Sequence, residues 1–252
     1  MIISALKSSD KLDNRSPIHP DTASALIKLG AEVNFETGIG EGIFASDNIF
    51  EDLGLKLSTR EECLKSSDLV ISNQPLNIDE ISLMKTGSTL LGMVNPFSNQ
   101  ELIDSCAKSK INLVSMEFIP RITRAQKMDV LSSQANLAGY VSVLESASLL
   151  SSALPMMMTA AGTLKPARVF VIGVGVAGLQ AIATAKRLGA RVEAFDTRDV
   201  VEEQVNSLGA KFVKIDLGET GQTDQGYAKE LTPEQIQKQK DLQSDVCARS
   251  DI

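Results

Sequence analysis

Short apolar runs alternate along the chain with longer segments whose apolar residues recur at helical spacing. The runs are short and lie between helical segments, which is typical of strands buried on both faces of a parallel sheet. The predicted strands are Leu69–Ser72, Thr89–Val94, Ile111–Ser115, Arg168–Ile172 and Arg191–Phe195. The pattern therefore predicts an α/β protein with mostly parallel sheets.

Three segments share one transition from helix to strand. They are Ile27–Phe35, Ala185–Phe195 and Asn206–Ile215. In each segment a helical run ends in Leu, a Gly follows that suits the left-handed turn at a helix C-terminus, and a β-prone run comes next. This transition is typical of alternating α/β structure and indicates no repeated function.

Two helix starts carry the capping-box pattern, in which a Ser or Thr precedes a Glu or Gln by three residues. Ser58 with Glu61 is predicted to begin one helix, and Thr232 with Gln235 another. Both positions fall between β-prone or polar segments and helical runs, so they divide the chain into its elements.

A long apolar helix is predicted from Ser133 to Leu154, where Pro155 ends it. The segment carries Glu145 as well as the proline, so a buried helix is the better interpretation than a membrane span. We place an N-terminal α/β domain at residues 1–131 and a second Rossmann-like domain at 132–252, with this helix joining them.

The chain end repeats the beginning of an earlier strand. Ala248–Ile252 starts with the same Ser-Asp entry that precedes the strand within Lys65–Ser72. We expect a fourth strand of the second domain to begin here and to be cut off, which predicts that the chain is a fragment of a longer protein.

The strongest motif is G-x-G-x-x-G, formed by Gly173, Gly175 and Gly178 after the strand Arg168–Ile172. The first glycine permits a tight turn, the second lets a pyrophosphate approach the backbone, and the third lets helix and strand pack closely. The free N–H groups at the helix start favour phosphate. We expect these glycines and Val176 to contact a dinucleotide.

An acidic residue completes the motif about 20 residues further on. Asp196 ends the second strand and is predicted to accept the hydroxyls of the adenosine ribose. A carboxylate there repels a 2′-phosphate, which favours NAD(H) over NADP(H). Arg198 has two interpretations, as a host for a 2′-phosphate or as a surface salt-bridge residue.

A polar, glycine-bearing run follows at Leu217–Leu231, with Tyr227 as its one aromatic residue. A long polar segment beside a nucleotide site is often a lid. The alternative is an ordinary disordered loop.

Composition excludes several classes of protein. The net charge is −7 and no Lys/Arg cluster is present, so a nucleic-acid binder is not indicated. Three cysteines, Cys63, Cys106 and Cys247, show neither metal-site nor disulfide spacing, which favours a reducing compartment. No metal site and no secretory signal are predicted.

The connection Phe118–Gln134 is unusually polar for a link between a strand and a helix. A dehydrogenase that oxidises an alcohol or amine needs a proton acceptor, commonly His or Lys, but the one histidine, His19, lies between prolines at a predicted helix start. Hydride transfer between two nicotinamides needs no acid or base. The composition therefore favours the second reaction.

Three segments together resemble the NAD(H)-binding component of proton-translocating NAD(P) transhydrogenases: Pro120–Tyr140, Met156–Ala190 and Gly226–Leu231. The resemblance covers essentially the whole chain and extends more distantly to alanine dehydrogenases. It implies that the polar connection lies over the nicotinamide ring and that the sequence 216–231 contains a mobile loop.

The resemblance implies a role for individual residues. Its nicotinamide contacts are Arg121, Gln126, Asp129 and Ser132, its ribose acid is Asp196 and the aromatic residue of its mobile loop is Tyr227. Lys127 stands where the family usually has a small residue and is interpreted as a solvated side chain.

The implied function is direct hydride transfer from NADH on this chain to NADP on a partner component, coupled to proton movement by a membrane component. A homodimer is implied, as is a peripheral location on the cytoplasmic side of the inner membrane, or the matrix side in a mitochondrion. Two alternatives are an amino-acid dehydrogenase and a non-catalytic NAD-binding fragment. Arg15 suits the first, but Asn73 replaces that group's substrate-binding Lys, and Leu90–Pro96 lacks its catalytic His.

Overall fold

The computed structural model describes residues 1–215 and 230–252. They form two compact units, Met1–Asp129 and Val130–Ile252. Both units are built on parallel sheets with helices between successive strands, so the predicted α/β class is confirmed.

The first unit alternates strands and helices from its first residues. Its strands are β1 (Ile2–Leu6), β2 (Glu32–Glu36), β3 (Lys56–Ser58), β4 (Leu69–Ser72), β5 (Thr89–Gly92) and β6 (Asn112–Ser115). Its helices are α1 (Pro20–Lys28), α2 (Asp47–Asp52), α3 (Arg60–Ser66), α4 (Ile78–Leu83) and α5 (Gln100–Lys108). Short 3-10 turns occupy Glu41–Ile43, Met116–Phe118 and Thr123–Met128.

The six strands form one parallel sheet in the order β3-β2-β1-β4-β5-β6. Two hydrophobic clusters pack around it. One is centred on Phe35 and Phe50, whose rings lie 5.3 Å apart, and the other on Leu64, Ile81 and Leu90. The strand order reverses between β1 and β4, so the carboxyl ends of these two strands frame the crevice that doubly wound sheets offer to ligands.

One predicted helix start in this unit is wrong by a residue. Thr59, not Ser58, caps α3: its hydroxyl accepts from the Glu62 N–H at 3.2 Å, and the Glu62 carboxylate accepts from the Thr59 N–H at 2.9 Å. Two overlapping pairs fit the capping-box pattern, Ser58 with Glu61 and Thr59 with Glu62. The pairing of β3 with β2 decides between them, because Ser58 is the last residue of that strand.

The second unit begins with a long helix and contains a three-stranded parallel sheet. Its helices are α6 (Val130–Leu149), α7 (Val176–Arg187), α8 (Glu202–Ser207) and α9 (Pro233–Ala248). Its strands are β7 (Met157–Thr159), β8 (Gly162–Leu164), β9 (Arg168–Ile172), β10 (Arg191–Phe195) and β11 (Lys211–Phe212). A 3-10 turn occupies Asp199–Val201.

The parallel sheet of the second unit has the order β11-β10-β9. The last residues of the chain lie along the other edge of β9: the Phe170 N–H donates to the Ile252 carbonyl, and the Asp251 N–H donates to the Arg168 carbonyl, both at 2.8 Å. This is the place of a fourth strand in the order 3-2-1-4. The sheet therefore continues the pattern of a dinucleotide-binding fold.

The sequence predicts that the long helix runs to Leu154, but α6 ends at Leu149. Residues 150–156 form a turn around Pro155, and the methionines that follow belong to an antiparallel hairpin of β7 and β8 that the sequence pattern does not predict. Among residues 1–215 and 230–252, no helix is both long and apolar enough to cross a bilayer.

Close contact between α6 and α7 depends on one glycine. Gly139 is buried in the middle of α6, and a Cβ atom there would lie 2.1 Å from the carbonyl oxygen of Ala177. The absence of a side chain therefore lets α6 pack against the first turn of α7. A glycine inside a helix costs about 1 kcal/mol relative to alanine, which the packing must offset.

We expect Gly139→Ala to destabilise the protein by about 1–3 kcal/mol, because the added methyl group has to push the α7 backbone away. Helix propensity alone would give the opposite sign. Urea unfolding followed by circular dichroism measures the difference. Asn136→Ala, at an exposed position of the same helix, is the matched control and is expected to be neutral or slightly stabilising. A stabilised Gly139→Ala protein would contradict the packing account.

Candidate functional site

The turn from β9 into α7 contains the glycine motif. Gly173 follows the last residue of β9 with φ at +95°, in the region that favours glycine, and its N–H donates to the Phe195 carbonyl at 2.8 Å. Gly175 is the N-cap of α7, and Val176 is its first residue. The chain thus reverses from strand to helix within three residues and presents the first N–H groups of α7 at the carboxyl edge of the sheet.

The three glycines meet different surroundings. A Cβ atom on Gly178 would lie 1.8 Å from the Gly173 carbonyl oxygen, so only glycine lets α7 begin this close to the turn. Cβ atoms on Gly173 and Gly175 would meet no atom within 4 Å. The outer side of the turn is therefore accessible, and the helix N-terminus behind it favours an anion.

Asp196 lies directly after β10 and is buried beside this turn. Its carboxylate accepts from the Val174 N–H at 2.7 Å and from the Arg198 N–H at 2.9 Å. Burial raises the pKa of Asp196, but the hydrogen bonds from Arg198 and Val174 outweigh burial and hold that pKa below its ordinary value. Asp196 is therefore a fixed negative charge at neutral pH.

Arg198 forms a bidentate ion pair with Asp196. Its Nε donates to Oδ1 and its Nη2 to Oδ2, each at 2.8 Å, and Nη2 also donates to the Val174 carbonyl at 3.2 Å. The Arg198 side chain is 15% exposed and that of Asp196 is 7% exposed. The salt-bridge interpretation of Arg198 is thus realised, although with a buried partner and not a surface one.

The sequence pattern does not single out Val174, the residue between the first two glycines. Its N–H fixes Asp196 and its carbonyl accepts from Arg198, so this one residue ties the turn to the end of β10. The spacing of the motif is an available signal, because a G-x-G turn places the backbone of its middle residue beside the neighbouring strand end.

The polar connection of the sequence is a 3-10 helix, Thr123–Met128, in the first unit. Ala125 is buried and fixes the helix, while the side chains of Arg121 and Gln126 are exposed. The Asp129 N–H donates to the Gln126 carbonyl at 3.2 Å and closes the turn. The remaining residue of the predicted set, Ser132, is half-buried in the first turn of α6, which belongs to the second unit.

Tyr227 and most of the predicted lid lie outside the described residues, which stop at 215 and resume at 230. The helix after the lid starts as predicted. Thr232 caps α9, with its Oγ1 accepting from the Gln235 N–H at 3.3 Å and its own N–H donating to the Gln235 side chain at 2.9 Å.

Polar residues also gather at the carboxyl ends of β1 and β4 in the first unit. The Arg15 guanidinium pairs with Asp13, with Nε 2.7 Å from Oδ1 and Nη2 2.9 Å from Oδ2. Gln74 donates to the same carboxylate at 3.2 Å, and the Asn73 amide donates to the Arg15 carbonyl at 3.2 Å. The Asp13 hydrogen bond raises the pKa of Arg15, which stays a cation whose charge is already compensated.

Comparison with known proteins covers both units. The family description "Alanine dehydrogenase/PNT, N-terminal domain" matches residues 6–138, and "Alanine dehydrogenase/PNT, C-terminal domain" matches residues 142–252. An NAD(P) transhydrogenase subunit alpha protein of Rickettsia prowazekii is 43% identical over 245 residues, which cover 95% of this chain and 64% of that protein. The alanine dehydrogenase of Mycolicibacterium smegmatis is 26% identical over 232 residues, 90% of this chain and 59% of that protein.

Among solved structures, the crystal structure of transhydrogenase from Sinorhizobium meliloti superposes with a TM-score of 0.82 at 44% identity, over 86% of this chain and 65% of that one. This chain spans less than two thirds of the length of each of these three proteins. The matches to the two family domains run from residue 6 almost without interruption to residue 252, so the chain belongs to the alanine dehydrogenase/PNT family.

Proposed function

We propose that the chain is the NAD(H)-binding component of a proton-translocating transhydrogenase. In this role it hands a hydride from NADH directly to NADP held on a partner component. The observation that carries the proposal is the β9–α7 turn, an accessible glycine loop at a helix N-terminus with a buried carboxylate beside it. The likeness to the alpha subunit of NAD(P) transhydrogenase supports the reaction class.

The proposed dinucleotide contacts follow from this geometry. Gly173, Gly175, Val176 and Gly178 receive the pyrophosphate at the start of α7. Asp196 receives the hydroxyls of the adenosine ribose, and its fixed negative charge repels the 2′-phosphate of NADP(H). Tyr227 is proposed to close over the bound nucleotide.

The nicotinamide ring is proposed to be held by Arg121, Gln126, Asp129 and Ser132. A carboxamide both donates and accepts hydrogen bonds, and the Gln126 and Ser132 side chains do the same. Three of the four residues lie on or beside one short 3-10 helix that the buried Ala125 anchors, so their backbone positions are fixed together. Their task is positioning, because the nicotinamides supply the chemistry.

The placement of the one histidine agrees with a reaction that needs no base. His19 is exposed and caps α1, where its Nδ1 accepts from the Asp21 N–H at 3.4 Å. The residues that suit an amino-acid dehydrogenase offer less: the Arg15 guanidinium is already paired with Asp13. No observation favours that alternative or a non-catalytic module over transhydrogenation.

The proposed assembly contains an NADP-binding component, a membrane component and a second copy of this chain. It would lie on the cytoplasmic side of the inner membrane, or the matrix side in a mitochondrion, attached through the membrane component. Support for the second copy comes from α6, whose only charged residue is Glu145. Leu137, Tyr140, Val141 and Leu144 form an exposed apolar stripe at helical spacing on this helix.

Replacement of Gln126 by Ala is expected to slow hydride transfer to NADP on the partner component about 10- to 100-fold, because the nicotinamide loses its fixed angle. The NADH dissociation constant should change less than about threefold, since the adenosine half provides most of the binding. Stopped-flow absorbance and fluorescence titration measure the two quantities. Lys127→Ala, an exposed neighbour on the same 3-10 helix, is the control with no expected effect. Unchanged transfer in Gln126→Ala would refute the nicotinamide assignment.

Asp196→Asn is expected to weaken NADH binding about tenfold, because a neutral amide accepts hydroxyl hydrogen bonds less strongly than a carboxylate. It should also change the response of stability to acid. A carboxyl whose pKa is lowered by folding stabilises the protein above its ordinary pKa and loses that contribution as the pH falls through the lowered value. Urea unfolding from about pH 7 to about pH 3 should therefore show a shallower acid loss in the variant. Equal slopes would mean that Asp196 is not the linked group.

Val141→Glu is expected to convert a dimer into a monomer, because a charge in the apolar stripe of α6 cannot be buried without a partner. Light scattering after size exclusion gives the mass. Leu12→Glu, at an exposed apolar position of the first unit, is the control and should leave the mass unchanged. A dimer that survives Val141→Glu would show that the stripe is not the dimer contact.

A further inference from the structure

The carboxylate of Asp196 has no acceptor position left. Oδ1 accepts from the Arg198 N–H at 2.9 Å and from its Nε at 2.8 Å. Oδ2 accepts from the Val174 N–H at 2.7 Å and from the Arg198 Nη2 at 2.8 Å. A carboxylate offers about four acceptor positions, and four donors of the chain itself fill them. A ribose diol that binds Asp196 must therefore replace donors that are already in place.

The four donors differ in how easily they move. The Val174 N–H belongs to the turn between β9 and α7, where Val174 is 2% exposed, and the Arg198 N–H belongs to the backbone two residues after Asp196. Both are fixed by the fold. The guanidinium of Arg198 lies at the end of a flexible side chain that reaches solvent. Of the four, only its two N–H groups can leave without a change in the backbone.

We propose that Arg198 is a displaceable counter-ion of Asp196 that tunes the selectivity of the site between dinucleotides with and without a 2′-phosphate. This inference rests on the proposed nucleotide site and deepens it. The two ribose hydroxyls of NADH replace Nε and Nη2 on the carboxylate, while the two backbone N–H groups keep Asp196 in position. Binding of NADH therefore includes the loss of one bidentate ion pair.

The displaced guanidinium has a second consequence. It remains tethered two residues from Asp196, next to the ribose, where a 2′-phosphate would be. A cation there attracts that phosphate and reduces the repulsion from Asp196. Arg198 thus weakens NADH binding and softens the rejection of NADPH, two effects that shift selectivity in the same direction.

The test compares NADH and NADPH dissociation constants in the wild-type protein and in Arg198→Met, which keeps much of the side chain's bulk without its charge or donors. Removal of the ion pair is expected to tighten NADH binding about three- to tenfold and to weaken NADPH binding by a similar factor. Arg198→Lys keeps the charge but loses the bidentate geometry, so its selectivity should fall between the two. It also keeps the test readable if the Met variant does not fold.

Arg249→Met is the matched control, because Arg249 also pairs with a carboxylate on β10: its Nη2 lies 2.9 Å from Oε2 of Glu193. Neither dissociation constant should change more than about twofold in this variant. Unchanged or weaker NADH binding in Arg198→Met would overturn the inference alone, since Arg198 would then be a bystander or a direct nucleotide contact. A wild-type protein that binds neither dinucleotide would overturn the proposed function and the inference with it.

Discussion

The candidate site depends on a steric constraint between two glycines. α7 starts so close to the end of β9 that a Cβ atom on Gly178 would lie 1.8 Å from the Gly173 carbonyl oxygen. The same closeness places the first N–H groups of the helix at the carboxyl edge of the sheet, where strand ends and helix dipole act on the same point. Gly139 extends the constraint outward, because it lets α6 reach the carbonyl of Ala177 in the first turn of α7.

Electrostatics complete what sterics begin. The turn by itself would favour an anion of any kind, but it also positions the Val174 N–H to hold Asp196 as a buried carboxylate. A positive helix end and a fixed negative charge then lie side by side, each suited to a different portion of one ligand, phosphate for the first and a diol for the second. Arg198 balances the carboxylate within the protein, so the buried charge does not stand alone.

Features that depend on neighbours in sequence could be predicted. The strands Leu69–Ser72, Arg168–Ile172 and Arg191–Phe195 have the predicted bounds, and the Thr232–Gln235 capping box is present, because strand runs, glycine spacing and caps are local patterns. The predicted start of α3 is wrong by one residue because two local patterns overlap. The β7–β8 hairpin escapes prediction because its methionines do not alternate with polar residues, so nothing distinguishes them from a helix end.

Contacts between distant residues were not accessible to sequence reasoning. Asp196 and Arg198 are both candidates from the sequence, but only the fold shows that they bond to each other and to Val174. Gly139 carries a signal, as a glycine inside a helical pattern, yet its partner Ala177 could not be named. The roles of Arg121, Gln126, Asp129 and Ser132 come from resemblance and stay predictions, as does that of Tyr227.

The central claim is that a hydride passes directly from NADH on this chain to NADP on another component. NADH that carries deuterium at C4, labelled on each face in turn, tests it most directly when mixed with this protein and the NADP-binding component. Direct transfer predicts that for one face the deuterium appears at C4 of NADPH, with none released to water. NADPH formed without deuterium from either labelled NADH, with the hydrogen taken from the solvent, would contradict the account.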